Sequence, residues 1–181
     1  MREALIGGIE KREIVISDYD PEWPERFRRE KAKIKAALGD AALSVEHIGS
    51  TSVPGLAAKP IVDILLVVED SRYEATYLPA LERAGYVLRV REPELDEHRM
   101  FRTPEKDVHL HVFSAGSREI ERYLLLRDRL RENAEERGLY ARTKRELAAR
   151  DWPTMDHYAE AKTRVIEGII ARATEAQSRN R

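Results

Sequence analysis

Residues 60–68 read PIVDILLVV, and this run constrains the fold more than any other part of the chain. It is apolar on both faces of an extended backbone except at Asp63, so it predicts a central strand covered on two sides. Pro60 suits the first residue of such a strand, where no ladder donor is required. A lone carboxylate in that setting is costly unless it is paired, hydrogen-bonded or bound to metal. Asp63 is therefore either a structural aspartate satisfied by loop N–H groups or an arginine, or a functional one.

The segment before it, EHIGSTSVPGLAAK over 46–59, concentrates small and hydroxyl-bearing residues. Gly49, Ser50, Thr51 and Ser52 would let backbone N–H groups approach a phosphate closely. Lys59 would neutralise that phosphate, and Asp63 would hold a cation beside it. The plain alternative is a tight turn, because Pro54 and Gly55 fit the central positions of a type II turn.

Around this core the periodicity predicts a mixed sheet followed by helices. Residues 13–17 read as a strand, and Asp20-Pro21 opens a helix through Phe27, Ile34 and Leu38 that Gly39 ends. Residues 42–48 form a short strand leading into the Gly-Ser loop. After the central strand come a helix through Tyr73, Leu81 and Ala84, stopped at Gly85, and a strand-rich meander over 86–91, 97–102 and 106–113. From Ser117 the chain reads as three helices, and the tail beyond Thr174 is expected to fray. The expected architecture is α+β in one domain over 1–181, with the sheet part at about 13–115 and the helical part at about 117–175.

Composition narrows the functions. With 181 residues, one sizeable core is expected. Lysine plus arginine (32) nearly equals aspartate plus glutamate (33), which gives no global field favouring nucleic acid or an anionic membrane. The absence of cysteine excludes disulfides, thiolate zinc sites and cysteine nucleophiles. The start does not read as a signal peptide, and no apolar run approaches the ~18 residues of a membrane span. A cytoplasmic location is the expectation, with no membrane partner.

Two further constellations stand out. His109 and His111 alternate with Val108, Leu110 and Val112, so both imidazoles share one strand face with Cα atoms ~6.8 Å apart. They could ligate a divalent ion with Asp63 as third ligand, hydrogen-bond a substrate, or simply form a polar strand face. His47 lies just before the Gly-Ser loop and points to the same neighbourhood, whereas His98 and His157 suggest nothing specific. The pattern Tyr-Ala-x-x-Lys occurs at Tyr140–Lys144 and again at Tyr158–Lys162. Either these lysine stems extend along apolar helix faces, or both ammonium groups converge with Arg127 on an anion held by the Gly-Ser loop.

With YDPEWPERF, EHIGSTSVPGLAAKPIVDI, HLHVF and LLRDRL in hand, the chain resembles the GrpB family over nearly its whole length. Relatives of that family occur fused to dephospho-coenzyme A kinase. The resemblance implies a nucleotidyltransferase-like fold, in which a Gly-Ser turn is followed about a dozen residues later by a strand carrying two carboxylates. Gly49 and Ser50 match the turn and Asp63 the first carboxylate, but Leu65 stands at the second. The region of a third carboxylate offers His109 and His111.

The implied function is binding of a nucleotide or phosphorylated small molecule at a metal-dependent, degenerate nucleotidyltransferase-like site. Asp63, His109 and His111 would be its catalytic and metal-holding residues. Gly49, Ser50, Thr51, Ser52, Lys59, Arg127, Lys144 and Lys162 would bind the ligand. The cation would be Mg²⁺ or Mn²⁺, with Zn²⁺ an alternative, and transferase activity is open. The competing expectation is a non-catalytic accessory module linked to coenzyme A biosynthesis or protein folding. A nucleic-acid partner is disfavoured by the balanced charge and the 7% aromatic content.

Overall fold

A computed structural model describes residues 4–8, 15–152 and 155–179. Five strands form one mixed sheet: β1 (Ser44–Ile48), β2 (Val62–Val68), β3 (Val87–Glu92), β4 (His98–Arg102) and β5 (Val108–Ser114). Their spatial order is β1-β2-β5-β4-β3, so β2 is an interior strand as the sequence predicts, although it starts at Val62 and Pro60, expected as its first residue, lies in a bend two residues earlier. β2 and β5 run parallel, with Asp63 opposite His109 and Leu65 opposite His111. The other pairs are antiparallel, and β3, β4 and β5 form the expected meander.

Helices α1 (Glu22–Leu38) and α2 (Leu78–Arg83) pack on one face. There Ile34, Leu81 and Tyr86 close over Val62, Ile64, Leu66, Leu110 and Val112. The opposite face carries α3 (Arg118–Glu132), α4 (Ala134–Ala148) and α5 (Met155–Arg179). Ile120, Tyr123 and Leu124 of α3 cover Ile48, Leu65, Val67 and Phe113 on this side. A separate apolar cluster ties Val53 and Leu56, just past the Gly-Ser turn, to Leu130, Tyr140 and Ile169 of the three helices. The strand alternation of period 2 thus feeds both layers, as a doubly covered sheet requires.

Local chemistry sets the element ends. The Asp20 carboxylate, one residue before the Pro21 N-cap, accepts the Glu22 N–H at 2.9 Å where α1 begins. The helix expected through Tyr73 is shorter than the periodicity suggests. A single 3₁₀ turn, Glu74–Thr76, precedes α2, and Tyr73 is exposed. Pro79 has no N–H to give to a preceding carbonyl, so the regular helix begins beside it. Of the strand expected at 13–17, Glu13 and Ile14 lie outside the described residues, and Ser17 makes one isolated bridge to Ala58. α5 stays helical to Arg179, past the point where fraying is expected. No described helix is long and apolar enough to cross a membrane.

Candidate metal and anion site

Gly49 joins β1 to a single 3₁₀ turn, Ser50–Ser52, and its φ of 71° and ψ of −175° belong to a region open essentially only to glycine. The bare backbone is needed for contact as well as conformation. A Cβ at Gly49 would lie 2.7 Å from Asp63 Oδ2. The turn therefore rests directly on the aspartate. Gly49→Ala is expected to cost about 2 kcal/mol and to lower the melting temperature by roughly 6 °C. A shift in thermal denaturation below about 1 °C would show that the turn relaxes freely.

Asp63 projects from β2 toward the α3 side, where β5 supplies His109 and His111. His111 Nε2 lies 3.1 Å from Asp63 Oδ1, and His109 Nδ1 lies 3.8 Å from the same oxygen. One donor atom from each residue can be chosen so that all three fall within 4.8 Å of one another. Burial works to raise the Asp63 carboxyl, but the His111 hydrogen bond, the histidine charges and then Lys162 outweigh it. The group sits below its ordinary value.

This donor set fits one divalent ion. Two imidazoles and a carboxylate favour a borderline ion such as Mn²⁺ or Zn²⁺ over an ion that demands oxygen alone. It does not fit two ions. Leu65 is fully buried among Ile48, Val67 and Phe113, which leaves apolar packing where a second carboxylate would stand.

The site opens into a cavity of about 340 Å³. Gly49, Ser50, Thr51, Lys59, Asp63, His109, His111, Arg127, Lys144 and Lys162 all line it, so the topology gathers nearly every residue singled out by the sequence. Lys144 comes from α4, is 3% exposed, and donates to Ser50 Oγ at 2.8 Å. Its ammonium lies 5.0 Å from the Tyr140 ring centroid, and Lys59 stands at the same distance from Tyr158. The neighbouring phenols, Tyr140 first, and Asp63 hold Lys162 above its ordinary value against the effect of burial. Burial pushes Lys144 down to about 7, Lys162 and Lys59 add to the drop, and Asp63 opposes it.

Several side chains are placed differently from a simple phosphate cradle. The Ser52 hydroxyl turns back to Gly49 O at 2.5 Å, away from the cavity. Thr51 Oγ1 pairs with His47 Nε2 at 3.0 Å. His47 lies on the α1 face, stacked on Phe27 at 4.8 Å, and burial pushes it down to about 4. The expectation that it joins the Asp63 neighbourhood is corrected: Ile48 and Glu46 share the α3 face, and His47 alternates with them. Arg127 borders the cavity with its guanidinium already engaged, by Glu46 Oε2 at 2.8 Å, His47 O at 3.2 Å and Asp128 Oδ1 at 2.8 Å.

Two contributors escape the sequence reading. Tyr123 of α3 lines the cavity, and its phenol is raised by burial and then by the Asp63 charge. His98 of β4 lies 3.0 Å from His111 Nδ1. Period 2 along β4 puts His98 on one face with Met100 and Arg102, but only strand pairing reveals which neighbour it meets.

The family model described as GrpB protein matches residues 13–172. A UPF0157 protein of Halalkalibacterium halodurans is 51% identical over 175 residues, spanning 96% of this chain and 90% of the relative. The crystal structure of conserved protein GrpB from Enterococcus faecalis matches with a TM-score of 0.80 at 36% identity, over 90% of this chain and 99% of that one. A Cid1 poly(U) polymerase with Mg 3′-dATP bound matches with a TM-score of 0.52 at 13% identity, over 73% of this chain and 44% of that one. That distant likeness shows a nucleotidyltransferase-like fold and nothing more. Over 70 residues the chain is also 41% identical to the dephospho-CoA kinase of Mycolicibacterium paratuberculosis, a stretch that is 17% of that protein. By family model, sequence and fold, this chain belongs to the GrpB family.

Proposed function

We propose that the cavity binds a nucleotide or another phosphorylated small molecule beside one divalent cation. The observation that supports this reading best is that a single cavity is lined by Asp63, His109 and His111 and also by Lys59, Lys144 and Lys162. Its volume falls at the lower end of ordinary ligand pockets, about 300–1,000 Å³, which suits a phosphate group with part of its ester. Asp63, His109 and His111 would hold the ion, which would supply positive charge against phosphoryl oxygens. Ser50, with its hydroxyl fixed by Lys144, would receive the phosphate, and the three lysines would offset its charge. Should group transfer occur there, these residues would act by positioning and electrostatics.

A second reading, a binding module without catalysis, is favoured by Leu65. Its packing excludes the paired-ion clamp that stabilises both entering and leaving oxygens. The matched stretch in dephospho-CoA kinase is compatible with an accessory role beside a coenzyme A enzyme.

Calorimetric titration of the protein with ATP, UTP, inorganic phosphate and a simple phosphate monoester, each with Mn²⁺, tests the proposal. At least one ligand should bind wild type, and about tenfold more weakly to Lys144→Met, the loss of one charge-assisted hydrogen bond. Equal or absent binding to both proteins for every ligand would sink it.

Lys144 also predicts a pH effect. Its folded value lies below its unfolded value, so between about 7 and the ordinary ~10.4 the unfolded chain binds more protons. Wild-type stability should therefore gain from this group as pH rises through that window. Lys144→Met should remove that gain and melt about 3 °C above wild type at pH 7, without ligand. Melting curves at pH 7 and pH 9.5 check both signs, and a lower melting point for the variant at pH 7 would contradict them.

A further inference from the structure

The hydrogen bonds behind His111 lead away from the cavity to the far edge of the sheet. Glu92 ends β3 and pairs in register with His98 of β4. Its Oε2 lies 2.7 Å from His98 Nδ1, His98 Nε2 lies 3.0 Å from His111 Nδ1, and His111 Nε2 lies 3.1 Å from Asp63 Oδ1. Four side chains from four strands thus form one continuous line, Glu92–His98–His111–Asp63.

Proton counting along this line has a single neutral solution. The His98 hydrogen bond holds the Glu92 carboxyl below its ordinary value, so it is ionised and only accepts. His98 must then carry a proton on Nδ1. His98 is 5% exposed and stacked on Phe113 at 4.7 Å, and as a neutral imidazole it carries only that one proton. Its Nε2 is consequently an acceptor. The group presented to it is His111 Nδ1, which must be the N–H. A neutral imidazole has one such proton, so His111 Nε2 meets the Asp63 carboxylate only across an added cation, either a second proton on the ring or a metal ion.

Two lone pairs at that separation repel unless a positive centre lies against both. We infer that Glu92 and His98 are positioning residues that fix the His111 tautomer and aim its Nε2, with Asp63, at one borderline divalent ion. This inference rests on the metal-binding part of the proposed function. Metal-bound histidines characteristically donate their second N–H to an orienting acceptor, and loss of that acceptor weakens the metal by about 10–100-fold. Here the acceptor is a second histidine, itself oriented by a carboxylate. Neither Glu92 nor His98 lines the cavity, so neither touches a ligand there.

The test combines Zn²⁺ and Mn²⁺ titration by calorimetry with long-range ¹H–¹⁵N NMR of the imidazoles. Wild type should bind Zn²⁺, and His111 should show its proton on Nδ1 both with and without the ion. His98→Phe keeps a ring on Phe113 but removes the acceptor. It should bind Zn²⁺ about tenfold more weakly or worse and lose the single His111 tautomer. Glu92→Gln, at a half-exposed position with little risk to folding, should shift both readouts in the same direction. His98→Gln, whose side-chain oxygen can accept the His111 N–H, should restore part of the affinity. Unchanged Zn²⁺ affinity in both His98→Phe and Glu92→Gln, or a His111 proton on Nε2 in the Zn²⁺-loaded wild type, overturns the positioning role alone. Wild type that binds neither ion overturns the metal reading itself, and the role of the pair with it.

Discussion

Leu65→Asp, which would write the second carboxylate back into β2, is expected to melt about 10 °C below wild type. Leu65 is fully buried, and its neighbours are Ile48, Val67 and Phe113, covered by Ile120, Tyr123 and Leu124. Removing a leucine from such packing costs about 3 kcal/mol, and burying an unpartnered carboxyl adds about 1 kcal/mol or more. The residue does not line the cavity, so an introduced carboxylate has no open route to a second ion. The penalty should also depend on pH. Burial raises the folded value of the introduced carboxyl, so the variant loses stability relative to wild type as pH rises above about 4. Leu65→Met, a volume-conserving change, should cost less than about 1.5 kcal/mol and serves as control. Thermal melts of the three proteins at pH 4.5 and pH 7.5 check this. A Leu65→Asp protein within about 2 °C of wild type would mean that the α3 face is wet and a second ion position is open.

Much of the site is legible before folding because the residue types leave few alternatives. An aspartate inside a doubly apolar strand, a Gly-Ser turn before it and alternating histidines each imply a chemistry by themselves. The parallel pairing of β2 with β5, with Asp63 opposite His109, then brings those separate signals together. The Tyr-Ala-x-x-Lys repeat is similarly readable, since i,i+4 spacing places each tyrosine beside its lysine, and both lysines reach the same cavity. What was not legible depends on partners supplied by other strands. His47 looks adjacent to the Gly-Ser loop in the chain, yet Ile48, not His47, lies opposite Asp63, and a one-residue offset reverses the face. His98 has no local signal because its meaning is a diagonal neighbour on β5. Arg127 reads as a phosphate ligand from its helix face, but Glu46 and Asp128 claim it first. The Leu78 helix start was hidden because a proline and a short 3₁₀ turn outrank the apolar spacing around them.

The strongest loss of binding is expected from Asp63→Asn, with Zn²⁺ or Mn²⁺ affinity falling about 100-fold or more, beyond the about 10–100-fold ascribed to orienting partners. Asparagine keeps the shape under Gly49 but removes the one formal charge that the histidines cannot replace. It also removes the anion that faces Lys162, so three lysines would then line the cavity with no carboxylate among the Asp63, His109 and His111 set. Two consequences should separate. The ion should be lost, whereas inorganic phosphate added without metal should bind Asp63→Asn at least as well as wild type, because Coulomb repulsion from the aspartate is gone. The fold should persist, since the amide can either donate to the His111 Nε2 lone pair or accept from its protonated form, and the packing beneath it is unchanged. Calorimetry with Zn²⁺ and, separately, with phosphate reads both effects, while circular dichroism verifies the fold. Retained Zn²⁺ affinity in a folded Asp63→Asn protein would move the ion away from β2. Weaker phosphate binding in the same protein would mean that the carboxylate orders the lysines instead of opposing their ligand.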